Sequence, residues 1–438
     1  MWSKNASLEG EILSLGGIPA AELARDFGTP AFFLDEDAYR SRALDWKHAL
    51  HKEFGEHAGT VYYAAKSFIC TAVAQWIAEI GIGIDVCTGG ELAVALNGGI
   101  DPQKIELHGN NKSVTEIDRA IAVGVKTIVL DSLFEIERVA AAAKKHGVRQ
   151  EVLLRLTPGI EAHTHEKIST AHEDVKFGFS IASGAAWEAA LAVSKNPELN
   201  LRGVHCHIGS QIFGSEAHEI ATERLIGFMA QYRDFFGTEL PELDLGGGFG
   251  IAYVEGDVTV EPSDVLPHIH AAVKKACAQY NLAIPSVSLE PGRNIVGPTM
   301  FTLYEVGTVK DVVVDAGNVR KYVSVDGGMS DNARTALYDA QYTAVIAQRA
   351  STAPLTLARL VGKHCETGDI IINEIQLPSD IAPGDLVATP ATGAYGRSMA
   401  SNYNHVPRPP VVAVKDGKAR VIVRRENEAD LLSLDVKE

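Results

Sequence analysis

The 438-residue sequence contains no CxxC pair and few cysteines at any spacing. Five are scattered along it, at Cys70, Cys87, Cys206, Cys277 and Cys365. An odd number without close pairs argues against a disulfide framework and against a zinc site, and fits a reducing, cytoplasmic setting. Positive charge is also scarce: 40 Lys and Arg stand against 56 Asp and Glu, for a net charge of −16. That excludes the broad basic face a nucleic-acid partner needs, while leaving room for a local basic pocket. Uncharged apolar runs of bilayer-spanning length are missing. The start, MWSKNASLEGEILSLGG, lacks the basic residues and long apolar run of a signal peptide. No membrane partner is expected, and no low-complexity segment or charge block suggests a disordered tail. What is present, 46% hydrophobic and 22% charged residues, suits a globular chain with a sizeable core. The chain is too long for one small domain.

Residues 60–293 alternate short β-branched runs with Ala-rich helical stretches. The strand candidates are TVYYAAK (60–66), GIDVCT (83–88), KIELHGN (104–110), TIVLD (127–131), EVLLRL (151–156), GVHCHIG (203–209), LDLGGG (243–248) and SVSLEPG (286–292). Between them, ELAVALNGG, VTEIDRAIAVG, SLFEIERVAAAAKKHG and HIHAAVKKACAQY carry the apolar spacing of amphipathic helices. Eight such steps predict an α/β fold, a (β/α)8 TIM-type barrel over 36–298, in preference to a doubly wound open sheet. After about residue 300 the texture becomes strand-like, in TLYEVGTVKDVVVDAG, KYVSVDGG, PLTLARLVGKH, DIIINEIQLP and ARVIVRRE. A second, mostly β C-terminal domain is expected there. TPAFFLDE (29–36) is also strand-like and is expected to pair with it, making a discontinuous domain of 1–35 and 299–438.

A barrel enzyme carries its chemistry at the C-terminal ends of its strands, and the unusual residues lie there. Lys66 closes the first strand candidate; desolvation there would free its amine to attack a carbonyl. His205, His207, Gly209 and Ser210 close the sixth. The seventh ends in GGGFG (246–250), a run that lets backbone N–H groups approach a phosphate. EPGR (290–293) closes the eighth and supplies Glu290, Pro291, Gly292 and Arg293. A lysine, a flat imidazole, a glycine cradle and a strand-end carboxylate together suit pyridoxal 5'-phosphate (PLP), with Glu290 as the partner of its ring nitrogen.

Nine stretches in order carry a family resemblance over nearly the whole chain: YYAAKSF, DVCTGGEL, THEKIST with KFG, HCHIGSQ, LDLGGGFG, EPGR, SVDGGMSDNARTALYDA, CETGD and GAYGRSMASNYN. The sequence resembles the fold-type III PLP-dependent decarboxylases, and within them the branch acting on diaminopimelate. The resemblance implies decarboxylation of meso-2,6-diaminopimelate to L-lysine and CO2, the last step of lysine biosynthesis. Lys66 then corresponds to the lysine that binds the cofactor, and His207 to the imidazole stacked on its ring. Ser210 and Gly248 match phosphate-site residues, and Glu290 the acid on the pyridine nitrogen, with Pro291, Gly292 and Arg293 continuing that loop. Arg293, Arg334 and Tyr338 match positions that hold the distal carboxylate of the substrate, Glu366 takes its distal ammonium, and Tyr395 contacts cofactor and substrate. Cys365 matches a proton donor. The resemblance also implies a homodimer in which Cys365 and Glu366 reach the partner's active site. Small departures, Phe249, Thr367 and the pair Ser67–Phe68, remove no functional group.

GKHCETGD (362–369) supports that role on physical grounds. A nucleophilic thiol wants positive charge nearby, whereas the neighbours Glu366 and Asp369 favour the neutral thiol, which can deliver a proton. A distal carboxylate suits a forked arginine and a distal ammonium suits a carboxylate; a substrate such as ornithine would leave those arginines idle. Alternatives are a decarboxylase of ornithine, arginine or carboxynorspermidine, an alanine racemase, and a non-catalytic regulatory homologue. His163, His165 and His172 fit no zinc spacing, so no metal is expected; AHTHEKISTAHED is read as a mobile loop over the active site. Cys70, Cys87, Cys206 and Cys277 are expected in the core. His205, two residues from His207, shares its strand face and is expected to support the cofactor site rather than act in catalysis.

Overall fold

The structure is a computed structural model that describes residues 1–159, 176–314 and 319–437. The chain forms two compact units: Arg42–Gly250 with Thr259–Asn294, and Met1–Ser41 with Ile251–Val258 and Ile295–Glu438.

The first unit is the barrel. Its strands are Ala58–Ala64, Gly83–Val86, Ile105–Leu107, Thr127–Leu130, Gln150–Thr157, Leu199–His205, Glu242–Asp244 and Ser286–Leu289. Each pairs in parallel with the next, and Ser286–Leu289 returns to pair with Ala58–Ala64, so the sheet is closed. Helices cross between strands because their ends are punctuated. Ser113 and Glu116 form a reciprocal cap at Val114–Val123, Ser132 caps Leu133–His146, and Gly124 and Gly147 end these helices in left-handed conformation. Alternation along each strand sorts the side chains. Ile84 and Val86 take one face and Asp85 the other; Ile105 and Leu107 flank Glu106 in the same way, and Leu243 and Leu245 flank Asp244. All of these are buried.

The strands stop earlier than the sequence runs suggest. The first ends at Ala64, so Lys66 stands in the turn beyond it, and the seventh ends at Asp244, before the glycines. Gly246 and Gly248 have positive φ and leave the ladder. The sixth begins four residues before the expected run, at Leu199.

The second unit is mostly β. Its main sheet runs Ile370–Pro378, Leu355–Val361, Val319–Val325, Met300–Val313, Ala31–Asp35, Val411–Lys415, Lys418–Val423. The strand within TPAFFLDE pairs with Met300–Leu303 antiparallel and with Val411–Val414 parallel. All five of its residues are buried, as a central strand covered on both faces requires. Ile251–Val258 groups with this unit because Ile251 and Tyr253 pack into its core with Tyr304, Val325 and Tyr342. A small sheet of Ala6–Glu9, Ile12–Leu15 and Ile18–Pro19 precedes it. Among the described residues no helix is long and apolar enough to cross a membrane.

Candidate active site

In the barrel unit the strand-end residues converge. Lys66 is half-buried in a turn fixed by Ser67, whose hydroxyl donates to the Ala64 carbonyl at 2.7 Å. The Lys66 charge acts on Asp85, Glu91, Glu290 and His207. Asp85 is buried on the neighbouring strand, and burial, then the charge of Glu290, pushes its carboxyl well above the usual range.

Glu290 is 3% exposed. Its Oε1 lies 2.9 Å from His205 Nε2 and 3.3 Å from His108 Nε2, distances of close polar contact without an aligned hydrogen bond at that oxygen. Burial alone would raise its affinity for a proton, but the two imidazoles and Lys66 outweigh that and hold it well below the usual carboxylate range. Burial depresses both histidines, and the charge of Glu290 opposes that shift. His207 is likewise pushed down, by burial and then by Lys66. Its Nδ1 accepts from the Gly247 N–H at 3.4 Å, which leaves the proton of the neutral ring on Nε2.

The glycine loop lies against its neighbours' backbone. A Cβ on Gly247 would meet the Glu290 carbonyl at 2.2 Å, and one on Gly248 the Gly209 carbonyl at 2.5 Å. Ile212 donates to the Gly248 carbonyl, and Arg293 Nη2 donates to the Ser210 hydroxyl at 2.8 Å. The loops after the sixth, seventh and eighth strands are thus tied together, with bare backbone between them. Pro291 and Gly292 complete the eighth loop; a Cβ on Gly292 would meet Ala64 Cβ at 2.6 Å. A buried, ionised carboxylate, a neutral flat imidazole, a lysine and a bare backbone cradle fit PLP.

In the β-rich unit the other sequence-predicted residues fall into two groups. Arg334 and Tyr338 lie one turn apart on the helix Arg334–Tyr338. Arg334 is 6% exposed, with its guanidinium 4.5 Å from the Tyr253 ring centroid and Nη1 donating to the Tyr342 hydroxyl at 2.6 Å. Tyr395 has φ +59, rare for a non-glycine residue.

Cys365 and Glu366 are exposed on a turn whose base is rigid. Asp369 is buried and accepts from the Met329 and His364 backbone N–H groups at 2.6 and 2.7 Å. It therefore anchors the loop, and of the two acids read beside the thiol Glu366 is the one that stays exposed with it. Asn404 Oδ1 accepts from the Cys365 N–H at 3.3 Å and lies 3.2 Å from His364 Nδ1, while His364 Nε2 is 2.8 Å from the Ser330 hydroxyl.

Sequence reasoning missed Asp85, Glu106, His108 and Asp244 inside the barrel, and His364 and Asn404 around Cys365. Each barrel residue is a single polar position between apolar neighbours, the one signal that could have marked it as inward-facing. His163, His165, His172 and the stretch THEKIST lie outside the described residues.

Comparisons with known proteins point to one family. Residues 37–297 match the family model described as pyridoxal-dependent decarboxylase, pyridoxal binding domain. The chain is 52% identical, over 100% of its own length and 98% of the relative's, to a diaminopimelate decarboxylase of Mycobacterium tuberculosis. It is 42% identical, over 97% of the chain and 95% of the relative, to that of Bacillus subtilis. It is similar to the crystal structure of diaminopimelate decarboxylase from M. jannaschii in co-complex with L-lysine, at 30% identity and a TM-score of 0.91, covering 100% of this chain and 99% of that one.

Proposed function

We propose that this chain, which belongs to the diaminopimelate decarboxylase family of PLP-dependent enzymes, releases CO2 from meso-2,6-diaminopimelate and yields L-lysine. The observation that carries the reading is the buried carboxylate of Glu290, held below the usual carboxylate range at the end of the eighth strand beside the charge of Lys66 and the backbone of Gly247.

When bound, PLP supplies an electron sink for the pair left behind as CO2 departs. The chain's own residues do the rest. Lys66 would hold the cofactor through its amine. His207 would present the face of a neutral imidazole to it, and Ser210, Gly248, Pro291, Gly292 and Arg293, together with Tyr395, would hold its phosphate and ring. Arg293, Arg334 and Tyr338 take the distal carboxylate and Glu366 the distal ammonium. Arg334 is suited to this because its rigid fork pairs a carboxylate with two hydrogen bonds. The thiol of Cys365 gives its proton to Cα.

We further assign the working unit as a homodimer in which Cys365 and Glu366 serve a partner copy. Their exposure on a firmly anchored turn supports this. The five free cysteines support a reducing, cytoplasmic setting.

The test is to load the purified protein with PLP and follow CO2 from meso-diaminopimelate beside ornithine, arginine and carboxynorspermidine. Release from diaminopimelate, with lysine as product, is the expected result. Release from another substrate alone would overturn the distal assignments and leave the cofactor site standing. Mixing inactive Lys66→Ala and Cys365→Ala proteins tests the shared site: partial return of activity is expected, and none would place Cys365 in its own chain's site.

A further inference from the structure

The floor of the barrel holds more carboxylate than its surroundings can ionise. Glu106, Asp244 and Glu290 come from three strands and are each at most 3% exposed. One oxygen from each lies within 4.8 Å of the others. Glu106 Oε2, Asp244 Oδ2 and Glu290 Oε1 have no hydrogen-bond partner among the described residues. Like charges this close, away from water, cannot all persist, and some of the group must keep its protons.

The neighbours decide which. Glu290 has His205 Nε2 at 2.9 Å and His108 Nε2 at 3.3 Å, and it feels the charge of Lys66. Glu106 has His108 Nε2 only at 3.5 Å and interacts with the Tyr62 hydroxyl. Asp244 has one backbone N–H, from Gly246, at 2.7 Å on its other oxygen. Stabilisation of negative charge is concentrated on Glu290.

We propose that Glu106 and Asp244 are positioning residues held as neutral acids beside Glu290, so that Glu290 is the one ionised carboxylate of the three and would keep the ring nitrogen of bound PLP protonated. Burial, then the charge of Glu290, pushes Glu106 up to about 8 and Asp244 well above the usual range, in the same sense. The inference rests on the PLP reading of this pocket and adds two residues to it.

The experiment is infrared spectroscopy of the protein at neutral pH, with and without PLP, read in the stretch of protonated buried carboxyls. Glu106→Gln and Asp244→Asn are each expected to remove intensity there while leaving the absorbance maximum of the bound cofactor in place, because a neutral group replaces a neutral group. Glu290→Gln is expected to move the cofactor maximum. If one variant fails to fold, the other still reads its own band. Unchanged infrared intensity in the folded variant, or a stoichiometric metal ion in the purified holoenzyme, would overturn the proposal. Loss of the diaminopimelate reading would show instead as absent CO2 release from a protein that keeps both bands.

Discussion

His205 Nε2 approaches Glu290 Oε1 at 2.9 Å, and both side chains are buried. His108 stands edge-on to the His205 ring at a separation of 5.0 Å and approaches the same carboxylate oxygen. The pair makes a polar backing that lets a carboxylate remain charged inside a barrel, where burial works against it.

Glu290→Gln should therefore remove the charge that holds the ring nitrogen protonated while leaving the fold intact. Turnover is expected to fall about a hundredfold or more, the scale of losing one preorganised electrostatic group. The cofactor absorbance should shift in the same variant. Wild-type turnover in a protein that has demonstrably lost Glu290 would remove this residue from the cofactor site.

Lys66→Ala should abolish turnover and the borohydride-fixable attachment of PLP. The motive is its place just past the first strand, within the field of Asp85 and Glu290. The variant should still take up PLP weakly, because the cradle formed by Ser210, Arg293 and the glycine loop does not depend on the amine. Mass spectrometry after borohydride reduction is the direct check, and labelling at a different lysine would reassign the role.

The barrel was legible because its strands and helices repeat locally. Residues such as Lys66, Ser210 and Glu290 stood out because polar groups at strand ends interrupt an apolar pattern. The inward acids were harder. Asp85, Glu106 and Asp244 sit within three- and four-residue strands, too short for alternation to separate a barrel interior from a solvent face. Val411–Lys415 and Leu386–Thr389 passed unremarked in the β-rich unit. Each pairs with a strand distant in sequence, Ala31–Asp35 and Met300–Val313, and no local rule announces those pairings, although the hairpin of Val411–Lys415 with Lys418–Val423 across Asp416–Gly417 carried a local turn signal. Asp369 was read as an acid beside a thiol, and its actual use as a backbone anchor depends on the loop at Gly328 and Met329 coming up against it.

Cys365→Ala should bind substrate and lose CO2 but protonate slowly. A positioned general acid is worth about a hundredfold to ten-thousandfold, and turnover should fall within that range while KM changes little. Solvent-deuterium incorporation at Cα distinguishes delivery by the protein from delivery by water: retention of one stereochemistry is expected in the wild type and its erosion in the variant. A turnover number equal to wild type would exclude the thiol.

Arg334→Lys keeps a charge in place but loses the fork, and Arg334→Met loses both. For diaminopimelate, kcat/KM should fall roughly tenfold in the first and up to about a hundredfold in the second, the worth of hydrogen bonds to a charged group. The loss should appear mostly in KM. Any residual activity on ornithine, which has no distal carboxylate, should be spared. Because Arg334 also packs over Tyr253 and bonds Tyr342, thermal unfolding must be run alongside. Equal losses on both substrates would mean the arginine acts by supporting the fold.

The pH dependence of stability has a specific source in His218. It is fully buried on the helix Glu216–Phe236, stacks on Phe249 with an interplanar angle of 3°, and lies 3.3 Å from the Gly247 carbonyl. Burial, opposed only by that carbonyl, lowers it from 6.5 to about 4. The folded state thus binds fewer protons than the unfolded chain between those two values. Stability is complete above the upper one and declines as the pH falls through the window, by about 3 kcal/mol in all. The stack links the helix to the GGGFG loop, so acid should loosen the cofactor cradle as it unfolds the barrel. His218→Gln keeps a group able to donate to Gly247 and cannot titrate. Urea unfolding at neutral pH and at about pH 5 should show a smaller acid penalty in the variant than in the wild type. Equal penalties would assign the acid sensitivity to other groups.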